Sequence, residues 1–135
     1  MEARVTLSAT VEAVSIFTQD LETHLHTLPF EIRTQIVLAV HELLVNIVRH
    51  AYRGLEGQIE FEMVESELEI KILVFDYAEN GFSMPDRVSA PDTGDLPEGG
   101  MGLYIIQQAF DLVEYEHLAR GNRWWLLKRL GDCHE

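Results

Sequence analysis

A glutamate and an asparagine four residues apart, Glu42 and Asn46 in HELLVNIVRHAY, interrupt an otherwise apolar run of Leu, Val and Ile. That spacing puts both side chains on one face of a helix. A carboxylate there can take up a proton, and an amide oxygen can ligate a hard cation such as Mg²⁺. A solvated helix face or a simple hydrogen-bonded couple would carry the same pair, and His50 reads equally well as a partly exposed histidine. Asp76 closes an alternating apolar segment, where a carboxylate either accepts hydrogen bonds from a ligand's N–H groups or forms an ordinary turn. Glu98-Gly99-Gly100-Met101-Gly102-Leu103 sets three glycines just before a helical pattern. Glycine lets backbone approach a ligand closely, and the free N–H groups and dipole of a helix start favour phosphate. Any tight entry into a helix uses glycines too.

The elements that must position these residues follow from hydrophobic periodicity. Arg4 to Ser8 alternates as a first strand, with Val5 and Leu7 on one face. From Thr10, a candidate N-cap, the spacing turns helical through Val14, Phe17, Leu21, Leu25 and Leu28. A second helix starts near Pro29, which suits a first turn because its missing N–H has no intrahelical partner there. Its stripe is Ile32, Ile36, Val40, Leu43, Leu44, Ile47 and Ala51. Gln58 to Val64 and Glu67 to Phe75 form a hairpin with Ile59, Phe61, Met63, Leu68, Ile70, Ile72 and Val74 on the inner face. Leu73 and Phe75 break the polar outer face. Pro85, Pro91, Pro97 and several glycines then mark a loop over 77–100, a length that usually belongs to a lid or binding segment. Leu103, Ile106, Ala109 and Phe110 give a short amphipathic helix. Leu112 to Leu118 and Arg123 to Leu130 close the chain as a strand pair across Ala119 to Asn122. The order β-α-α-β-β-loop-α-β-β predicts an α+β two-layer sandwich, a mixed, mostly antiparallel sheet with helices on one face.

At 135 residues and 47% hydrophobic content the chain fits one domain, 1–135, with its own core. Ten Lys+Arg against 23 Asp+Glu give a net charge of −13. This argues against bare electrostatic attachment to nucleic acid or to an anionic membrane, and for a basic partner. Cys133 is the sole cysteine, which excludes a disulfide framework and a Cys-based metal site and suits a reducing cytosol. With no signal-like N-terminus and no membrane-length apolar run, the expectation is a cytoplasmic protein.

Taken together and in order, these motifs resemble the nucleotide-binding fold shared by gyrase, Hsp90, histidine kinases and MutL, the GHKL superfamily with its Bergerat-type ATP-binding fold. The resemblance is greatest to the small anti-sigma factor serine kinases of bacteria and covers nearly the whole chain. HELLVNIVRHAY looks like the family's N-box, and VFDYAENGF stands in place of its first glycine box. EGGMGLYIIQQAFDLVEYE is similar to its second glycine box with the helix and strand beyond it, and GNRWWLLKRL looks like its closing strand. The resemblance implies that Glu42 is the base toward an attacking hydroxyl and Asn46 ligates Mg²⁺. Asp76 would take the adenine amine, and the backbone of Gly100, Met101 and Gly102 the phosphates of ATP or ADP. His50, Ala78, Gly81, Gly99 and Leu103 fall within the same nucleotide-binding boxes, and the loop over 77–100 would be the nucleotide lid.

Two departures stand out. Ala78 occupies the place of the first glycine of D-x-G-x-G with Gly81 one residue late, and Pro97 and Glu98 stand where many members carry a basic residue. Both bear on catalytic rate and tight ATP binding rather than on fold. The family's behaviour implies two partners, a sigma factor held inactive and a small anti-anti-sigma (STAS) protein phosphorylated on serine. It also implies a homodimer, for which the first strand and the helix after it are candidates, and of Trp124 and Trp125 only one can face the core. The rival expectation is a degenerate nucleotide module that works by sequestration alone. A phosphate donor to a histidine fits less well, because the chain has no room for a helical phosphoacceptor domain.

Overall fold

The computed structural model describes residues 2–78 and 100–130. The chain order is β1 (Glu2–Ser8), α1 (Val11–His24), α2 (Phe30–Asn46), a π-helical turn (Ile47–Ala51), β2 (Gln58–Glu65), β3 (Glu69–Asp76), α3 (Gly100–Ala109), β4 (Leu112–Leu118) and β5 (Gly121–Arg129). The strands form one sheet in the order β1-β2-β3-β5-β4. Each pairing among the described strands is antiparallel, so the mixed sheet expected from the sequence is purely antiparallel here.

Thr10 caps α1 as its type suggests, its Oγ1 accepting from the Ala13 N–H at 3.1 Å. The helix stops at His24, earlier than the apolar stripe. Leu25 is still fully buried and its N–H still bonds Leu21 O, but beyond it the chain turns to meet Pro29 at the start of α2. Phe17 of α1 packs edge-on against Phe61 of β2, with ring centroids 4.7 Å apart. α2 buries Ile36, Val40, Leu43 and Leu44, as its spacing requires. It then widens into the π turn, with Tyr52 N–H bonding Ile47 O five residues back. Such turns insert one extra residue and often sit beside functional sites.

The inner face of the hairpin is Ile59, Phe61, Met63, Ile70, Ile72 and Val74, all buried. Leu68 departs from the expected set: β3 begins two residues later than the sequence suggests, so Leu68 lies in the turn and is exposed. There Ser66 organises the turn, its Oγ accepting from the Leu68 and Glu69 N–H groups. The last turn is also tighter than expected, with Leu118 paired to Gly121 across only Ala119 and Arg120. Trp124 faces inward and is buried, while its neighbour Trp125 is 48% exposed beside Leu73 on the outer face. Phe75 and Tyr77 also share that outer side, in edge contact at 4.9 Å.

Candidate functional site

The end of α2 and the start of α3 meet at a polar point. Glu42 is half-buried and Asn46 is 7% exposed, both on the α2 face toward α3. Gly102 fits against them. A Cβ at position 102 would lie 3.1 Å from Glu42 Oε1 and 3.2 Å from Asn46 Nδ2. The absent side chain therefore lets helix backbone come down onto the carboxylate and the amide. Gly100, Met101, Gly102 and Leu103 are not a loop before the helix, as the glycines suggest. They form the first turn of α3 itself. The N–H groups of a first turn have no intrahelical acceptors, so they are available to an anion.

At the other end, Asp76 at the tip of β3 is fully buried. Its Oδ1 accepts from the Ala78 N–H and from Asn122 Nδ2, each at 2.9 Å. Its Oδ2 is buried without a hydrogen-bond partner among the described residues. An orphaned buried carboxylate oxygen is costly unless a ligand or water donates to it. Burial pushes the Asp76 carboxyl above the ordinary carboxylate range, against the lowering effect of the Asn122 and Ala78 hydrogen bonds and of the nearby His117.

Asn122 stands opposite Asp76 in the β3–β5 register and is itself buried. Its Oδ1 accepts from the Tyr115 hydroxyl and lies 2.9 Å from His117 Nδ1, both on β4. Gly121 makes this close pairing feasible. Its φ is +128°, and a Cβ there would fall 2.0 Å from the Asp76 carbonyl oxygen.

Tyr52 ties the two ends together. It follows the π turn, packs its ring over Gly57, and donates to Gln58 O while accepting from the Tyr77 N–H at 2.9 Å. Burial pushes its phenol pKa upward, so the hydroxyl stays protonated as a donor. The residue after Asp76 is thus moored to the helix that carries Asn46.

Of the residues singled out from the sequence, Glu42, Asn46 and Gly102 are brought into contact. Asp76 and Ala78 are joined by a hydrogen bond, with the Ala78 methyl buried. Leu103 packs against the core, and His50 is exposed in the π turn. Gly81, Gly99, Pro97, Glu98 and nearly all of the expected lid lie outside the described residues. Asn122, Tyr115, His117, Gly121 and the anchoring role of Tyr52 are not read from the sequence. The only local signal is the polar Asn122 at the head of an apolar strand.

A buried amide oxygen beside a half-buried carboxylate is a hard-oxygen donor set of the kind that suits Mg²⁺, which draws its remaining ligands from water and phosphate. Among the described residues no three His, Cys, Asp or Glu side chains cluster as a metal cage. Among the same residues no helix is long and apolar enough to cross a membrane.

Comparison with known proteins accords with this geometry. The family profile of the histidine kinase-like ATPase domain matches residues 6–128. The chain is 33% identical over 88 residues to a protein named serine-protein kinase RsbW from Bacillus pumilus, covering 58% of this chain and 54% of that one. It is 35% identical over 92 residues to the RsbW of Bacillus thuringiensis, covering 59% and 54%. The matches therefore span about half the length of these curated relatives. Among solved structures it is similar to the RsbU and RsbW domains of a Mycobacterium tuberculosis protein, with a TM-score of 0.70 at 20% identity over 96% of this chain and 32% of that one. It is also similar to the histidine kinase domain of a blue-light-activated kinase from Erythrobacter litoralis, with a TM-score of 0.56 at 17% identity over 89% and 60%. A five-stranded antiparallel sheet under three helices, with a family match across almost its full length, makes this chain a member of the histidine kinase-like ATPase family.

Proposed function

We propose that the protein is an ATP-binding anti-sigma factor that phosphorylates a serine of a STAS-type anti-anti-sigma partner and so controls how much sigma factor is free. The observation that carries this reading is the meeting of Glu42 and Asn46 over Gly102 at the first turn of α3. The names of the RsbW relatives support the same chemistry.

In this reading the base end of ATP lies at Asp76, whose open Oδ2 accepts from the adenine amino group. The phosphates lie on the N–H groups of Gly100 to Leu103, where the helix start favours negative charge. Asn46 contributes its amide oxygen to Mg²⁺, which when bound neutralises phosphate charge that the protein, at −13, cannot offset by itself. Glu42 takes the proton of the serine hydroxyl as its oxygen bonds to the γ-phosphorus and the bond to ADP breaks. Phosphoryl transfer is governed by positioning and charge rather than covalent chemistry, and this site positions one base and one ligand on a single helix. The protein acts in the cytoplasm, as a homodimer through the edge strand β1 and the adjoining α1, without binding nucleic acid.

The decisive assay incubates the protein with labelled ATP, Mg²⁺ and a STAS-type partner, comparing wild type with Glu42→Ala. Wild type should transfer phosphate, and the variant should be slower by about 10²–10⁴, the usual contribution of a positioned base. No transfer by a wild type that binds ATP sinks the kinase reading.

The Ala78 methyl, buried where the D-x-G-x-G pattern of the resemblance would have its first glycine, favours one other reading: a module that sequesters its partner without catalysis. Calorimetric titration with ADP and ATP separates the two. Micromolar binding that is lost in Asn46→Ala belongs to the kinase, and absence of heat in the wild type belongs to the sequestering module.

A further inference from the structure

We infer that Asn122 is a positioning residue that sets base selectivity at the Asp76 end of the site, making it accept a purine with an exocyclic 6-amino group and reject its 6-oxo counterpart. The inference rests on the proposed nucleotide binding and adds to it three residues of β4 and β5.

The argument is one of fixed donors and acceptors. Asn122 is 1% exposed and lies directly across from Asp76. A side-chain amide has a donor end and an acceptor end, and its orientation follows from what surrounds it. On one side it meets the Asp76 carboxylate, which when ionised offers only acceptors. On the other side it meets the Tyr115 hydroxyl and His117 Nδ1. Turning the amide over would set oxygen against the Asp76 carboxylate, so the donor end must face Asp76. Its Oδ1 is then the acceptor for Tyr115, and His117 completes the arrangement with the proton on Nδ1.

With Asn122 fixed, Asp76 is fixed. Its Oδ1 already receives two donors, from Asn122 and Ala78. These two bonds pin the plane of the carboxylate and leave Oδ2 without a donor among the described residues. A 6-amino group donates to such an atom, whereas a 6-oxo group presents a second acceptor to a buried carboxylate and is repelled. Tyr115 and His117 both meet Asn122 at its acceptor end, so the Tyr115 hydroxyl acts on the base by way of Asn122, while His117 also lowers the Asp76 pKa by its charge.

The test measures binding of ADP and of inosine diphosphate, with Mg²⁺, to the full chain by calorimetry. Wild type should favour ADP at least about tenfold, the scale of one hydrogen bond to a charged group. Asn122→Asp is isosteric but replaces the donor with an acceptor. It should weaken ADP about tenfold and bring the ratio of the two nucleotides close to one. Tyr115→Phe, which removes one hydroxyl far from the ligand, should lower the ratio about threefold while circular dichroism and Tm stay near wild type. A folded Asn122→Asp or Tyr115→Phe that keeps the wild-type ratio overturns the assignment to Asn122. A wild type that binds neither nucleotide overturns the nucleotide reading and this inference together.

Discussion

The two ends of the site are built in opposite ways. At one end, Glu42 and Asn46 come from a single helix turn, are close in sequence, and meet a glycine of α3. At the other, Asp76 is held by Ala78 and by Asn122, the latter 46 residues away and itself held by two side chains of β4. At the first end Glu42 is half-exposed, and in the proposed reading Mg²⁺ and phosphate would complete the geometry. The second is buried, and of the Asp76 carboxylate oxygens only Oδ2 lacks a hydrogen bond among the described residues. An end that must pass through several charge states during group transfer gains from solvent and adaptable ligands. One that only recognises a shape gains from rigidity, because fixed dipoles need no reorganisation when the ligand arrives.

The sharpest way to break this contrast is at its glycines. Gly121→Ala places a Cβ about 2.0 Å from the Asp76 carbonyl oxygen at a φ of +128°, and backbone cannot yield as a side chain can. We expect a loss of at least about 3 kcal/mol in unfolding free energy, read by denaturant titration, with nucleotide binding lost in step with the fold. A variant with wild-type stability would mean that the Asp76–Asn122 pairing is looser than its geometry indicates.

Next in size is the carboxylate. Asp76→Asn keeps the shape, but with two donors on Oδ1 the new amide nitrogen would face the base of the proposed nucleotide. ADP affinity should fall about tenfold or more. The pH dependence also separates the two ends. Below 3.8, the ordinary value for this group, native and unfolded chains both hold the Asp76 proton. Because its native pKa is raised, the native state keeps that proton over an interval above 3.8 in which the unfolded state has lost it. The Asp76 contribution to stability therefore declines as pH rises through that interval and then levels off. The Asn variant cannot titrate there, so its stability relative to wild type should rise across the same interval in pH-dependent thermal unfolding. ADP binding by the wild type should strengthen over it, as the acceptor ionises.

The smallest effect should be Gly102→Ala. Its Cβ would press on Glu42 Oε1 and Asn46 Nδ2 at 3.1 and 3.2 Å, the movable ends of side chains. Alanine also favours the helix by about 1 kcal/mol, so Tm should hold or rise slightly. Phosphate transfer should nonetheless fall about fivefold, as the pair is displaced by a few tenths of an ångström. Equal losses of stability in Gly102→Ala and Gly121→Ala would erase the distinction between an adaptable and a rigid end.

The helical end is legible in the sequence because its information is local. An i, i+4 pair, a run of apolar residues and a cluster of glycines are each readable in a short window, and the order of these motifs indicates the family. The hairpin is legible too, since alternation assigns Ile59, Phe61, Met63, Ile70, Ile72 and Val74 to one face without knowing what covers them. Features with no periodic signature escape such a reading. The π turn after Asn46 involves neither Pro nor Gly, and the helical start of α3 at Gly100 contradicts glycine's low propensity. Parity alone assigns Leu68 to the core, and a turn organised by Ser66 moves it into solvent.

By itself, then, the sequence determined most of the inward-facing residues, the order of the described strands and α-helices, and that a carboxylate and an amide share one helix face. Tertiary structure decided what those residues touch. Only the antiparallel register of β3 with β5 sets Asn122 against Asp76, and only the β4 pairing brings Tyr115 and His117 to hold it. The physical reason is that hydrophobic periodicity is written along the chain, whereas a buried hydrogen-bond network is written across it, in strand registers that no local pattern records.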